Sequence, residues 1–281
     1  MSKLLQKLLV FSGLVFWAGS LTAQNAPLRT GIDPNFPPHA FPKPGGGYQG
    51  FNIDLGNEIA RRLGRTMEFE GAQYSALIPA LNAKKFDFLM APTTVSPDRA
   101  KVLLMSEPYM ENRLALVLRK DRNDIKDLND LKGRVVAVNK GSGQEEWLRR
   151  HQAQYGYEIA QYGTNVDAIQ AAISRRADAN FAQLTVSAYA ARTNPNIKVV
   201  PVTSTDAALW IIPFHLDDKA GRDRVNEVLK CMKQDGSLKT LYEKWFDTTP
   251  APDSVTVTSP PGHGVPGLYG YDPTPVTPRC N

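Results

Sequence analysis

"RVVAVNKGSGQEEWLRRHQAQYG", Arg134 to Gly156, holds the fold in one unit. Val135 to Val138 form a short unbroken apolar run, the pattern of a strand buried on both faces. Asn139 to Gly143 is a glycine loop, and a helix opens directly behind it. Successive backbone N–H groups in such a loop, together with the helix N-terminal dipole, can cradle an anion. The loop lacks the three-glycine dinucleotide fingerprint and the Lys-Ser/Thr pair of a P-loop. Taken alone, it serves equally well as a tight strand-to-helix turn.

The same strand-loop-helix order recurs on either side. "LRTGID" reads as a strand ending at Asp33, and a Pro/Gly-rich loop follows with a hairpin tip at Gly45 to Gly47. "FNIDLGNEIARRLG" puts Phe51, Leu55, Ile59 and Leu63 on one helix face closed by Gly64. "RTMEFE" is a strand, Ser75 is expected to cap "ALIPALNAKK", and "FDFLMA" is the next strand. Beyond the opening unit, "NVDAIQAAISRRA" places Val166, Ile169 and Ile173 on one face. "DANFAQ" and "IKVVPV" are strands around the helix "LTVSAYAART". Two closing helices carry Val225, Val228, Leu229 and Met232, then Leu238, Leu241, Tyr242 and Trp245, the second capped by Ser237. This alternation predicts an α/β fold with parallel sheets covered on both faces. "NRLALVLRKD" begins a second unit, so two lobes are expected, with chain crossings near 107–114 and 203–209.

The ends differ from the middle. Residues 1–23 carry Lys3 and Lys7, an apolar run from Leu8 to Trp17, then small and polar residues up to Ala23. That is the pattern of a secretory signal peptide cut after Ala23, and the run is short of the ~20 residues that span a bilayer. No cysteine sits near the cut, so no lipid anchor is expected. In an oxidising compartment, Cys231 and Cys280 are expected to form a disulfide. The last segment, 249–281, holds eight prolines in 33 residues and can supply neither a helix nor a central strand.

The 281-residue chain is 42% hydrophobic and 22% charged, an ordinary globular balance. Its net charge of +5 is spread out rather than clustered, which argues for solubility and against a nucleic-acid partner. Four scattered histidines and no Cys-x-x-Cys exclude a zinc site, and no other metal or cofactor signature is present. There is no G-x-S-x-G elbow and no H-E-x-x-H, so no catalytic set emerges.

One further stretch stands out. "MAPTTVSPDRAKV", Met90 to Val102, follows an apolar strand and combines Thr93, Thr94 and Ser96 with Arg99. A guanidinium pairs with a carboxylate through two parallel hydrogen bonds, and open α/β sheets bind ligands at the carboxyl ends of their strands. By itself, Arg99 also reads as a surface pair with Asp98. Phe36 and Tyr74 lie in loops where aromatics can wall a pocket or pack ordinarily.

In order, "GIDPNFPPHAF", "GFNIDLGNEIARRLG", "YSALIPALNAKKFDFLMAPTTVSPDRAK", "MSEPY", "DLKGRVVAVNKGSG" and "DGSLKTLYEKWF" resemble the polar amino-acid-binding solute receptors of bacterial ABC importers. The resemblance runs from about Leu28 to Phe246. It implies a type II periplasmic-binding-protein fold of two lobes, with the ligand cleft between them. Lobe 1 is expected over 27–111 and 207–248, lobe 2 over 112–206, and a proline-rich tail over 249–281. The resemblance assigns the ligand α-carboxylate to Arg99, helped by the Thr94 hydroxyl and the backbone from Ala91 to Thr93. Gly141, Ser142 and Gly143 are implied to close on the same carboxylate from the second lobe. Asp33 and Phe36 fall on side-chain pocket positions, and Tyr74 on another wall.

Two departures qualify the ligand, and a third concerns the tail. Gln183, in "ADANFAQLTV", stands where the family carries an aspartate for the amino group, and a neutral amide leaves a buried ammonium uncompensated. Asp33 or another acid must then balance it, or the ligand is not a standard α-amino acid. Pro92 removes a backbone donor. The tail extends past the "YEKWF" helix, soon after which members of the resembled family commonly stop, and is expected to pack along the lobes, held by the disulfide. The reading is a monomeric, non-enzymatic periplasmic receptor that captures a small carboxylate-bearing ligand, an amino acid or a relative, and serves a membrane permease. Two alternatives use the same fold. One is a cyclohexadienyl dehydratase-like enzyme using Glu145 or Glu146, both of which are expected to face solvent. The other is a sensor or accessory protein docking through its tail.

Overall fold

The computed structural model describes residues 26–280, so the 1–23 leader lies outside the described residues. Eight helices are described: α1 Phe51–Arg62, α2 Tyr74–Asn82, α3 Pro97–Ala100, α4 Gly143–Tyr155, α5 Asn165–Ile173, α6 Leu184–Thr193, α7 Lys219–Gln234 and α8 Ser237–Phe246. They pack on two five-stranded sheets. The first runs Met67–Gly71, Leu28–Ile32, Phe88–Leu89, Pro213–Phe214, Leu104–Met105. The second runs Glu158–Tyr162, Val135–Asn139, Ala179–Gln183, Leu114–Arg119, Ile197–Val202.

Both sheets are mixed, which corrects the all-parallel expectation. In each, the first three strands are parallel and the fourth is antiparallel to its neighbours. The cause is the two-lobe path. Strands followed by covering helices run toward the junction, ending at Ile32, Leu89, Asn139 and Gln183. A strand that enters a lobe from the junction must run away from it, as Leu114–Arg119 and Pro213–Phe214 do. At the junction, Met110–Asn112 and Ala208–Ile211 pair antiparallel, and Thr93–Thr94 adds to the latter.

Each lobe has its own core. Ile32, Phe51, Leu55, Phe88, Trp210 and Phe214 belong to the first, and Leu116, Leu118, Val136, Val138, Leu148 and Phe181 to the second. The predicted stripe of α7 is buried throughout. Three local readings are corrected. Val166 is 46% exposed, because α5 turns Ala168, Ile169, Ala171 and Ala172 inward instead. Ser75 does not cap α2, which starts at Tyr74 with Gln73 at the cap, two positions earlier, and α8 is capped by Gly236 rather than Ser237.

The tail forms turns and one bridge, His263 to Asp272, and lies along lobe 1. Cys231 of α7 and Cys280 are joined by a disulfide. Val265 and Leu268 pack with Ala100, Met105, Ile211 and Val95, directly behind the Arg99 helix. The Arg222 guanidinium donates to the carbonyls of Met105 and Gly270, tying the tail to the sheet edge. The disulfide closes a loop of 49 residues, so reduction is expected to remove about 4 kcal/mol at most. The expected readout is a melting temperature lowered by about 10 °C and faster protease trimming of the tail. Equal trimming rates with and without reductant would show that the bond does not hold the tail.

Candidate functional site

The cleft is built where strand ends meet loops. Leu28–Ile32 delivers Asp33 to the junction, and the following turn is fixed by the Asn35 N–H, which donates to Asp33 Oδ1 at 3.0 Å. The other oxygen, Oδ2, is buried without a hydrogen-bond partner. Burial pushes the Asp33 carboxyl up to about 6, opposed by the Asn35 N–H and the Asn139 amide. A buried, half-satisfied carboxyl is costly unless something pairs with it.

From the other lobe, Val135–Asn139 leads into the glycine loop. Ser142 caps α4, its hydroxyl accepting from the Glu145 N–H at 3.2 Å. Glu145 is buried rather than solvent-facing. It accepts from the Gly141 N–H, the Arg149 guanidinium and the Gln161 amide, and so holds the loop in shape. Glu146 also turns toward the cleft mouth, lying near Arg99. Both positions correct the expectation for these two glutamates: Glu145 is held by its own glycine loop and neighbouring strand, and Glu146 faces the other lobe.

Asp33, Phe36, Tyr74, Pro92, Thr94, Asn139, Ser142, Gly143, Gln144 and Gln183 line one cavity between the lobes, with about 20 Å³ of free space. That is room for roughly one water, so the jaws are closed on each other. Glycine makes the close approach possible. A Cβ on Gly143 would lie 2.6 Å from Thr94 Oγ1, and one on Gly141 would lie 3.1 Å from the Ser75 backbone. Gly143→Ala is therefore expected to hold the lobes apart and weaken ligand binding in this cavity by about tenfold, an overpacking cost. The melting temperature should not fall, because alanine suits a helix start better than glycine. Titration calorimetry beside a thermal melt checks both.

Arg99 sits just behind this lining. It is the third residue of the short helix α3, capped by Ser96, whose hydroxyl accepts from the Arg99 N–H. Its guanidinium donates to the Thr94 carbonyl at 3.0 Å and, across the cleft, to the Gly141 carbonyl at 3.1 Å. Asp98 pairs with Lys101 instead, so the simple surface pair is not formed. Ala91 and Thr93 are also behind the wall. The Tyr74 hydroxyl donates to Thr93 Oγ1, which donates to the Ala91 carbonyl, a relay that stiffens the loop.

The sequence reading missed Asn139 and Gln144. Asn139 ends a strand whose alternation points it into the cleft, and Gln144 is a polar residue buried at a helix start. A larger hollow of about 450 Å³ opens at the far end of lobe 1, lined by Leu28, Arg65, Asp87, Phe214 and Asp218 among others. Its acids are already spent, Asp87 on the Arg29 N–H and Asp218 on the Gly221 N–H. Arg65 is likewise engaged, donating to the Ala26 and Pro27 carbonyls.

Behind Phe36, one network ties the lobes at the junction. The His39 ring bonds Asn52 and Thr185, Asn52 donates to the Tyr109 hydroxyl, and Asn112 donates to Thr185 Oγ1. Complete burial drives the His39 pKa down to about 3, so this imidazole is neutral at physiological pH.

Residues 28–248 match the bacterial extracellular solute-binding proteins, family 3. The chain belongs to that family. As a family 3 protein, it is 30% identical over 221 residues to the arginine-binding extracellular protein ArtP of Bacillus subtilis (strain 168), covering 78% of this chain and 86% of ArtP. Among solved structures, an ancestral arginine-binding protein bound to arginine superposes with a TM-score of 0.75 at 32% identity, over 79% of this chain and 99% of that one. The ancestral amino acid-binding protein AncCDT-1, a precursor of cyclohexadienyl dehydratase, gives 0.74 at 33%, over 80% and 97%. The family 3 fold is the two-lobed type II architecture, and the tail lies beyond the matched residues. Among the described residues, no helix is long and apolar enough to cross a membrane.

Proposed function

We propose that this protein is a receptor that captures a small amino acid bearing a cationic group and presents it to an ABC-importer permease. The observation that carries the reading is Asp33, a buried carboxyl with one bare oxygen in the interlobe cavity. It is a counter-ion in want of a cation, and it supplies the charge that Gln183 lacks. At the other end of the cleft, Arg99 takes the ligand carboxylate, with Thr94, Ser142 and Gly143 around it. Phe36 and Tyr74 form the walls, and Asn139 and Gln144 add amide partners. The lobes are taken to close by a hinge at 107–114 and 203–209. Names of relatives that bind arginine, cystine or histidine support an amino acid as ligand. Residues 1–23 are taken as the export signal, cut after Ala23, which delivers a monomer to the periplasm without a lipid anchor.

A thermal-shift screen with arginine, histidine, cystine, glutamine and glutamate tests the reading. Arginine is expected to raise the melting temperature most, by mass action on the folded state. If none of the five raises it, the reading falls. Arg99→Ala is expected to weaken arginine binding by about tenfold to hundredfold, the worth of a charge-assisted pair. Affinity within a few-fold of wild type would show that Arg99 does not hold the carboxylate. Receptor rather than enzyme is the reading supported by Glu145, whose carboxylate is taken up by the Gly141 N–H, Arg149 and Gln161 rather than aimed at the cavity. Prephenate incubated with the protein is expected to be recovered unchanged.

A further inference from the structure

Arg99 has more company than a ligand carboxylate needs. Two of its donors are spent on carbonyls, and its Nε faces Glu146 Oε2 at 4.0 Å. At that distance the contact is a charge pairing rather than a hydrogen bond. It crosses the cleft, since Arg99 belongs to α3 and Glu146 to the first turns of α4. A second link reinforces it. The Ser96 hydroxyl that accepts from the Arg99 N–H also lies 3.5 Å from Glu146 Oε2, to which it donates. Glu146 is thus bound both to the guanidinium and to the cap that positions it. Its other oxygen accepts no hydrogen bond and lies 3.5 Å from the half-exposed Arg150.

The charges in the cleft then balance in an unexpected way. Glu145 is committed to Arg149, Gln161 and the Gly141 N–H, and Lys140 is exposed. Arg99 is offset by Glu146. Asp33 remains as the one charge in the cavity lining without a counter-ion. A ligand carboxylate arriving at Arg99 meets a resident carboxylate first, whereas a cation at Asp33 meets no competitor.

We propose that Glu146 is an internal carboxylate that competes with the ligand for Arg99 and so sets the preference of the cleft toward net-cationic ligands, including amines and guanidines without a carboxylate. This deepens the receptor reading and rests on it. Glu146 acts as a specificity-determining residue: it spares Arg99 from being left unpaired when the ligand brings no anion, and it taxes every ligand that does.

The test compares wild type with Glu146→Gln by titration calorimetry, using L-arginine and agmatine, which is arginine without its carboxylate. The variant is expected to bind arginine about tenfold more tightly, since the competitor is gone, and to bind agmatine more weakly, since Arg99 then repels a cation. An arginine affinity that is unchanged or lower overturns the proposal. Small-angle X-ray scattering without any ligand is the second arm. Wild type is expected to be the more compact, and identical radii of gyration overturn the cross-cleft pairing whatever the probes do. If neither probe binds either protein, it is the receptor reading that fails, and the scattering alone then decides on Glu146.

Discussion

Asp33→Asn is expected to abolish capture of a cationic ligand while making the unliganded protein more stable. Both effects have one cause. Burial raises the carboxyl from 3.8 to about 6, so the folded state holds its proton more tightly than the unfolded state does. The stabilising contribution of that proton is complete below pH 3.8 and is lost as pH rises through 6. At pH 7 the ionised group costs about 3 kcal/mol relative to an unperturbed aspartate. Asparagine removes that cost and flattens the pH dependence between 4 and 7. Ligand binding runs the other way, because only the ionised form pairs with a cation. Wild-type affinity for arginine is expected to climb as pH rises through 6 and to level off above it. The asparagine variant should lose more than a hundredfold, the consequence of burying a cation without its counter-ion. Calorimetry at pH 5 and pH 8, with thermal melts of the same samples, measures all three quantities. A variant that binds arginine as tightly as wild type would remove Asp33 from the site.

Glu107→Gln is expected to give the largest loss of stability of any single change at a charged residue. Glu107 is fully buried and pairs with two buried lysines, Lys230 at 2.7 Å and Lys233 at 2.6 Å. The tail completes the cluster. Lys230 donates to the Pro260 carbonyl, Lys233 to those of Pro108 and Thr258, and the Ser259 hydroxyl donates to Glu107. Burial already lowers the Lys233 pKa, and the Glu107 charge opposes that fall. Removing the carboxylate leaves two buried ammonium groups without a counter-ion, at a cost of about 3–5 kcal/mol. The folded-state pKa of Lys233 then falls further below its unfolded value, so stability of the variant should recover as pH rises toward 10. Urea denaturation at pH 7 and pH 9.5 checks the size and the sign. Arginine affinity at 20 °C should stay near wild type, since the cluster does not line the cleft. A midpoint unchanged from wild type would mean the cluster contributes nothing.

Much of this architecture is legible from local pattern. Each helix and strand that buries one face against its own lobe shows that face in its spacing, as Phe51, Leu55 and Ile59 do in α1. The glycine loop and the Ser96-capped Arg99 turn are also readable, because both need specific residue chemistry within a few positions. What periodicity misses is set by the meeting of two lobes. Glu145, Glu146 and Gln144 look like an exposed polar helix start, but Gln144 and Glu146 face the opposite lobe, and Glu145 folds back onto Gly141, Arg149 and Gln161 of its own lobe. The antiparallel strands have the same origin, since the direction of a crossing strand depends on where the chain came from. Val166 failed for a simpler reason: small alanines on α5 fill the sheet contact that a larger residue was expected to take.

The tail fastens at Cys231, Lys230, Lys233, Arg222 and Met105, and its Val265 and Leu268 back the strip from Val95 to Ala100. All of these anchor points belong to the first lobe. One jaw is thereby braced from behind its grip while the other keeps its freedom, so the pair works like an anvil and a hammer. Under the receptor reading, the Arg99 side is then expected to hold its shape as the lobes open and close.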